Sequence, residues 1–207
     1  MSIQNFDSES FVAFTDISGF KEMMRSEKAV QAINDFYNAG FSALQNEPTV
    51  NGLFVSDCGI LFTRDASKAD QLTSLLKVVA ELNRTMLDRG VMLTTSISYG
   101  PFSYHNRIEF PGINKQPIYG NAYLSAFLDN ANGKPKIQPG RCRILKRNLS
   151  EIPHIEQSEL LEVTKNHYLY YWNVDSLSEI EHFKQRYHNS YNLKFAGMLS
   201  ALRNANG

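Results

Sequence analysis

The chain has only two cysteines, Cys58 and Cys142, with no CxxC pair and no zinc-type spacing. That excludes a disulfide framework and fits a reducing cytoplasm. No apolar run approaches the ~20 residues that span a bilayer, so no membrane partner is expected. The 21 basic and 21 acidic residues cancel, so no global field draws the chain to nucleic acid or to a lipid surface. There is no internal repeat and no low-complexity tract. The polar, acidic start, MSIQNFDSES, does not read as a signal peptide. What is left is one expected cytoplasmic domain, 1–207, whose 43% hydrophobic content can build a sizeable core.

The charge is unevenly spread. Residues 1–100 carry 8 Lys/Arg against 12 Asp/Glu, a net of −4, and residues 101–207 carry 13 against 9, a net of +4. One run, KPKIQPGRCRILKR (Lys134 to Arg147), holds six basic residues and no acidic one. It reads either as a solvated edge strand or as an anion contact.

The apolar, β-prone run FVAFTD (Phe11 to Asp16) predicts a first strand. Helical spacing follows from Phe20 to Gln45, as one long helix or two shorter ones. TVNGLFVSDCGILFTR (Thr49 to Arg64) predicts a hairpin with Asp57 at its tip. Ser67 to Gly90 predicts an amphipathic helix with Ser67 as its N-cap. VMLTTSISYGPFSYH (Val91 to His105) reads as a strand, a Gly-Pro turn and a return. YGNAYLSAFLDNAN (Tyr119 to Asn132) reads as a helix opened by Gly120. His167 to Asp175 reads as a strand, and two helices are expected over 176–189 and 191–204. This order is that of a ferredoxin-like α/β (α+β) sandwich, an antiparallel sheet with helices on one face.

FTDISGF (Phe14 to Phe20) ends a buried strand on a carboxylate and turns at once into a helix. If the first strand pairs with the hairpin, Asp16 and Asp57 face each other at one edge of the sheet. Either alone reads most simply as a cap or a turn residue. Together they read as a divalent-metal pair, because close carboxylates repel unless a cation separates them. The turn after Asp16 leads into a helix N-terminus, whose free N–H groups favour phosphate.

These motifs resemble those of class III nucleotidyl cyclases, the adenylate and guanylate cyclase catalytic domain. FTDISGF is similar to that family's first metal strand, and FVSDCGILF to its second. SISYGP is similar to its strand before a Gly-Pro pair, and IYGNAYLSAF to its glycine-opened helix. The resemblance covers residues 11–145, with the strand and helices of 163–204 as an extension. There are departures. Leu53 and Pro117 stand where purine cyclases place the lysine and aspartate that read the base. Leu124 and Leu128 stand where they place an asparagine and an arginine that stabilise the transition state. Ser-Asp at the second metal strand, the Gly120 helix and Pro135-Lys136-Ile137 resemble the Pycsar pyrimidine cyclases of bacterial antiphage defence. Thr94 stands where that branch often has an arginine.

The resemblance implies a homodimer with sites across its two-fold axis and two ions, Mn²⁺ or Mg²⁺, on Asp16, Asp57 and the Ile17 carbonyl. It implies phosphate contacts from Ser18, Gly19 and Phe20, and a base pocket between Leu53–Phe54 and Pro117–Tyr119 of a second chain. Lys136, Arg141 or Arg143 would stand in for the absent arginine. The expected substrate is UTP, cyclised to cUMP. The alternatives are a cytidylate or purine cyclase, or an inactive nucleotide-binding module. Tyr99, His105 and Arg107 read as surface residues. Tyr168, Tyr170, Tyr171 and Trp172 read as core and dimer packing.

Overall fold

The structure is a computed structural model that describes residues 5–64, 66–105, 107–110, 113–115, 117–149 and 151–174. The helices expected over 176–189 and 191–204 lie outside the described residues. In chain order the elements are β1 (Phe6–Ile17), α1 (Phe20–Arg25), α2 (Ala29–Asn46), β2 (Val50–Val55), β3 (Cys58–Thr63), α3 (Lys68–Asp88) and β4 (Leu93–Tyr104). There follow β5 (Arg107–Phe110), β6 (Ile113–Lys115), β7 (Ile118–Tyr119), α4 (Asn121–Asn132), β8 (Cys142–Leu145), β9 (Leu161–Val163) and β10 (His167–Tyr170). No helix among the described residues is long and apolar enough to cross a membrane.

The main sheet has the order β2-β3-β1-β4-β8-β10-β9, with β7 added beside β4; β5 and β6 pair separately. Its first four strands are all antiparallel, which is the ferredoxin-like arrangement expected from the sequence. The β4–β8 pair is parallel. The expected long helix is two: α1 ends at Arg25, and Glu27 (φ 59°) turns the chain before α2. The Ser67 hydroxyl accepts from the Asp70 amide at 3.2 Å, so the N-cap of α3 forms as its sequence specifies.

Three expectations are corrected. First, helices cover both faces of the sheet. Phe11, Ala13 and Ile17 face α2 and α3, whereas Val12 and Phe14 pack with Ala122 and Ala126 of α4. The unbroken apolar run of β1 is the signature of a strand covered on both sides. Second, Gly100-Pro101 makes no turn. β4 runs straight through it, pairing Gly100 with Ser10 and Pro101 with Glu9. Pro101 falls between the last β8 pair, Ile97–Ile144, and the first β7 pair, Ser103–Tyr119. Its missing N–H therefore costs no ladder bond on that side. Gly100 and Pro101 also leave room for the start of α4. A Cβ on Gly120 (φ 128°) would sit 2.3 Å from the Pro101 carbonyl oxygen, so only glycine fits there.

Third, the basic run does not form an edge strand. β8 lies between β4 and β10, and Arg143 within it is buried. Arg143 Nε donates to Asp129 Oδ2 (2.7 Å), Nη2 to the Asp129 carbonyl (2.8 Å) and Nη1 to the Pro135 carbonyl (2.7 Å). Ser96 Oγ donates to Asp129 Oδ2 (2.8 Å), and His167 Nε2 lies 2.9 Å from Asp129 Oδ1. Burial alone would raise the Asp129 pKa. The hydrogen bonds from His167, Arg143 and Ser96, with the Arg143 charge, outweigh it and hold the carboxyl below its ordinary value. This cluster ties α4 to β4, β8 and β10. Beside it Tyr168, Tyr170, Tyr171 and Trp172 are all buried, the core role expected of them.

Asp129→Ala strips the buried Arg143 charge of its partner, a change that costs ~3–5 kcal/mol for such pairs. The urea midpoint should fall accordingly. A loss under ~1 kcal/mol would show that Arg143 finds another partner.

Candidate active site

The site is built where β1 ends. Asp16 pairs with Cys58 on β3 and with Thr94 on β4. Gly19 then takes φ 80°, a left-handed conformation that suits glycine and lets the chain leave the sheet and enter α1 within three residues. On the other side, Ser56 and Asp57 form the two-residue turn between β2 and β3, with Ser56 at φ 54°. The Ile17 amide donates to the Asp57 carbonyl at 3.0 Å, which pins the hairpin tip to the end of β1.

One ligand atom each of Asp16, Asp57 and Cys58 lie within 4.8 Å of one another. Two oxygens bound on opposite sides of one ion with ~2.1 Å bonds are ~4.2 Å apart. A small side-chain rotation therefore lets the two carboxylates share a cation. Among the described residues neither carboxylate has a cationic partner. Burial, opposed by a hydrogen bond from the Cys58 thiol (Sγ–Oδ1 3.3 Å) and aided by the Asp57 charge, pushes the Asp16 pKa up to about 6. Burial and the same two carboxylates push the Cys58 thiol up to about 12. Cys58 therefore sits here as a protonated donor. A hard divalent ion would bind the carboxylate oxygens and not the sulfur. The donor set fits Mg²⁺ or Mn²⁺.

The remaining expected residues divide. The Ser18 amide is already spent on the Met92 carbonyl (2.8 Å). Its hydroxyl is buried and has no hydrogen-bond partner among the described residues. The Gly19 and Phe20 amides carry no such bond among the described residues. The Ile17 side chain is buried among the α2 and α3 contacts. Phe54 does not reach this face. It pairs with Gly59, opposite Thr15, and its ring lies 5.1 Å from that of Phe36. It is nested so closely over α2 that a Cβ on Gly40 would fall 2.2 Å from it. Leu53, one residue earlier, is the side chain that faces the α4 side of the sheet.

Tyr119 is exposed, and its hydroxyl meets His105 Nε2 at 3.0 Å. Lys136 is exposed between α4 and β8, and Arg143 is buried in its ion pair rather than free for substrate. Leu124 and Leu128 project outward from α4, 50% and 46% exposed, and Phe127 beside them is 38% exposed.

Sequence reading missed the wall of the site. Thr94 Oγ1 donates to Asn130 Oδ1 (3.2 Å), and Asn130 Nδ2 donates to the Thr94 carbonyl (3.2 Å). Tyr123 of α4 packs in the same apolar cluster as Cys58. The helical spacing of Tyr123 and Phe127 was visible, but the face of the sheet that α4 covers was not.

No family model matches the chain, and no curated protein matches it in sequence. Solved structures do. The chain is similar to the adenylyl cyclase CyaB from P. aeruginosa, at 17% identity over 84% of this chain and 97% of that one, TM-score 0.57. It is similar to the monomeric guanylyl cyclase domain of the RhoGC fusion protein from Blastocladiella emersonii, at 10% identity over 82% and 98%, TM-score 0.63. It is also similar to the guanylate cyclase domain of RhGC from Catenaria anguillulae in complex with GTP, at 15% identity over 79% and 95%, TM-score 0.56. At these identities the likeness is one of fold. The fold is that of class III nucleotidyl cyclase catalytic domains.

Proton and cation compete for Asp16. Its folded pKa lies above the ordinary 3.8, so the stability this residue lends is fully present below that value and is lost as pH rises through about 6. Divalent binding must expel the proton, so the affinity for Mn²⁺ should rise from pH 5 to 7 and then level off. Titration of bound Mn²⁺ by EPR checks this. Asp16→Asn should remove most of that pH dependence.

Proposed function

We propose that this chain is a nucleotidyl cyclase that converts UTP to cyclic UMP and pyrophosphate, as the second-messenger synthase of an antiphage defence. The observation that carries the reading is the Asp16–Asp57 pair, unpartnered by any described cation and set within ligand reach of one ion on a cyclase fold. The neighbour that binds GTP supports a nucleoside triphosphate as substrate. A second solved structure of the RhoGC guanylyl cyclase domain to which the chain is similar is a non-canonical dimer, which supports a homodimer as part of this reading.

Divalent ions bound here would lower the pKa of the ribose 3′-hydroxyl and neutralise the triphosphate. The chain's own part is positioning. Asp16 and Asp57 hold the charge pair, with the Ile17 carbonyl as a further ligand. The Gly19 and Phe20 amides, at the start of α1, point to the phosphates. Ser18 contributes its buried hydroxyl, since its amide is occupied. The Cys58 thiol and the Thr94–Asn130 pair hold Asp16 and its strand in place.

Base choice follows from what the pocket lacks. A purine reader needs a donor or a carboxylate against the ring edge, and a site built that way rejects other bases because its polar groups go unpaired. Leu53 on this face and Pro117 beside Tyr119 offer neither. The pocket then selects by width, with Tyr119 of a second copy closing it. Selection by shape is worth only ~1–3 kcal/mol per contact, so CTP is the second substrate.

Equal concentrations of the four NTPs with Mn²⁺, read by mass spectrometry, should give cyclic UMP first and cyclic CMP second. Dominant cyclic AMP or cyclic GMP would overturn the pyrimidine reading. No cyclic product from any NTP would overturn the cyclase reading in favour of a nucleotide-binding module. Asp16→Ala and Asp57→Ala should each cut turnover by at least ~10²-fold, the scale of losing one electrostatic contact at the reacting centre, with the circular dichroism spectrum unchanged.

A further inference from the structure

The Asp16–Asp57 site carries a third donor atom that hard ions leave unused. Cys58 stands opposite Asp16 in the β1–β3 ladder and follows Asp57 in the chain. Directly paired residues on antiparallel strands hold their Cβ atoms ~4.5–5.5 Å apart on one face of the sheet. Backbone register alone therefore sets the thiol against the Asp16 carboxylate. Its Sγ lies 3.3 Å from Asp16 Oδ1 and 3.9 Å from Asp57 Oδ1. Cys58 is a free cysteine, and all three side chains are only partly buried, within reach of ions from solvent. Cys142, the other cysteine, is buried in the apolar layer beneath α2 and α3 and takes no part.

These separations are those of a tetrahedral metal site. Zinc bonds run ~2.3 Å to sulfur and ~2.0–2.2 Å to carboxylate oxygen. At the tetrahedral angle, bonds of that length set sulfur and oxygen ~3.6 Å apart. The two sulfur–oxygen distances, 3.3 and 3.9 Å, fall on either side of this value. One ligand atom from each of the three residues already lies within 4.8 Å of the others, and a small carboxylate rotation completes the set. The Ile17 amide, bonded to the Asp57 carbonyl at 3.0 Å, holds the hairpin tip to the strand end while it does so. One sulfur and two oxygens are thus offered together, with a fourth position left to solvent.

The sulfur changes which ions the place prefers. Carboxylate oxygens suit Mg²⁺ and Mn²⁺, whereas a thiolate selects softer ions. Zn²⁺ and Cd²⁺ gain a sulfur bond here that the hard ions do not.

We infer that Asp16, Asp57 and Cys58 together bind one thiophilic divalent ion, Zn²⁺ or Cd²⁺, in tetrahedral coordination, and that this ion switches the enzyme off. The inference rests on the cyclase reading above. On binding, the thiol gives its proton to water and the sulfur lone pair bonds to the ion. No electron is transferred and no co-reactant is consumed. The ion engages both carboxylates at once, so neither remains for the hard ions that cyclisation needs. Its single open position cannot hold both the ribose 3′-oxygen and the triphosphate, which are the two groups that metal-assisted displacement must bring together.

The test uses the full chain and the metals alone. Co²⁺ is the probe, because it takes tetrahedral sites of this kind and its bond to a thiolate gives a sulfur-to-metal charge-transfer band in the near ultraviolet. Titration with Co²⁺ should raise that band to saturation at one ion per chain, and Zn²⁺ or Cd²⁺ should then abolish it. Cys58→Ser and Cys58→Ala should lose the band, with circular dichroism showing that they are folded. In both, calorimetry should show the ratio of Zn²⁺ to Mn²⁺ affinity lowered by ~10²-fold or more, since loss of a ligand costs at least what loss of a ligand's partner does. With UTP and Mn²⁺, each protein is compared with its own zinc-free rate, and the Zn²⁺ needed to halve turnover should rise by the same factor in Cys58→Ser. Bound Co²⁺ without the band in wild-type protein, or an unchanged affinity ratio in both variants, would overturn the inference while leaving the cyclase reading intact. Full turnover with Zn²⁺ bound would overturn the switch. Wild-type protein that forms no cyclic nucleotide from any NTP would bring down the cyclase reading and the switch with it, whereas the band would still decide the metal site.

Discussion

The site depends on one register, the pairing of β1 between β3 and β4. Asp16 opposite Cys58 and Thr94 sets the carboxylate on the α4 side of the sheet, with Thr15 and Ile17 on the other. A slip of one residue would turn Asp16 into the apolar layer beneath α2 and α3 and bring Thr15 out in its place. The register is held from both sides. Phe11, Ala13 and Ile17 are buried on one face and Val12 and Phe14 on the other. Burying a large apolar side chain contributes ~1.5–3 kcal/mol, so exchanging the faces of this strand has no inexpensive alternative. The Ile17–Asp57 backbone bond then carries the same register to the hairpin tip.

The two charged clusters along α4 are electrostatic opposites. At Asp129 every oxygen is met by a donor and the carboxyl is held below its ordinary pKa; at Asp16 burial, aided by the charge of a second carboxylate, pushes the pKa up to about 6. The first arrangement fastens a helix. The second leaves charge uncompensated, and uncompensated charge in a partly buried place is what a cation-binding site requires. The fold thus spends its buried arginine on architecture.

Much of this was legible in the sequence. The apolar run closed by Asp16, the hairpin centred on Ser56-Asp57, the Ser67 cap and the Gly120 helix start each rest on local rules of spacing and capping, and each appears where those rules put it. What was not legible depends on which face an element covers and what lies beside it. Gly100-Pro101 reads as a turn unless one knows that β4 has an open side there. Phe54 and Leu53 alternate, and only the contact with α2 decides which of them faces the site. Arg143 looks like a surface cation until β8 is seen to lie between two other strands.

Phe54 has a mechanical role in place of the base contact expected of it. Its ring is wedged between Gly40 of α2 and the Phe36 ring, two residues from the Ser56–Asp57 turn. The hairpin is thereby braced against α2: a side chain in place of Gly40 would displace the Phe54 ring and with it the strand that leads into the Ser56–Asp57 turn.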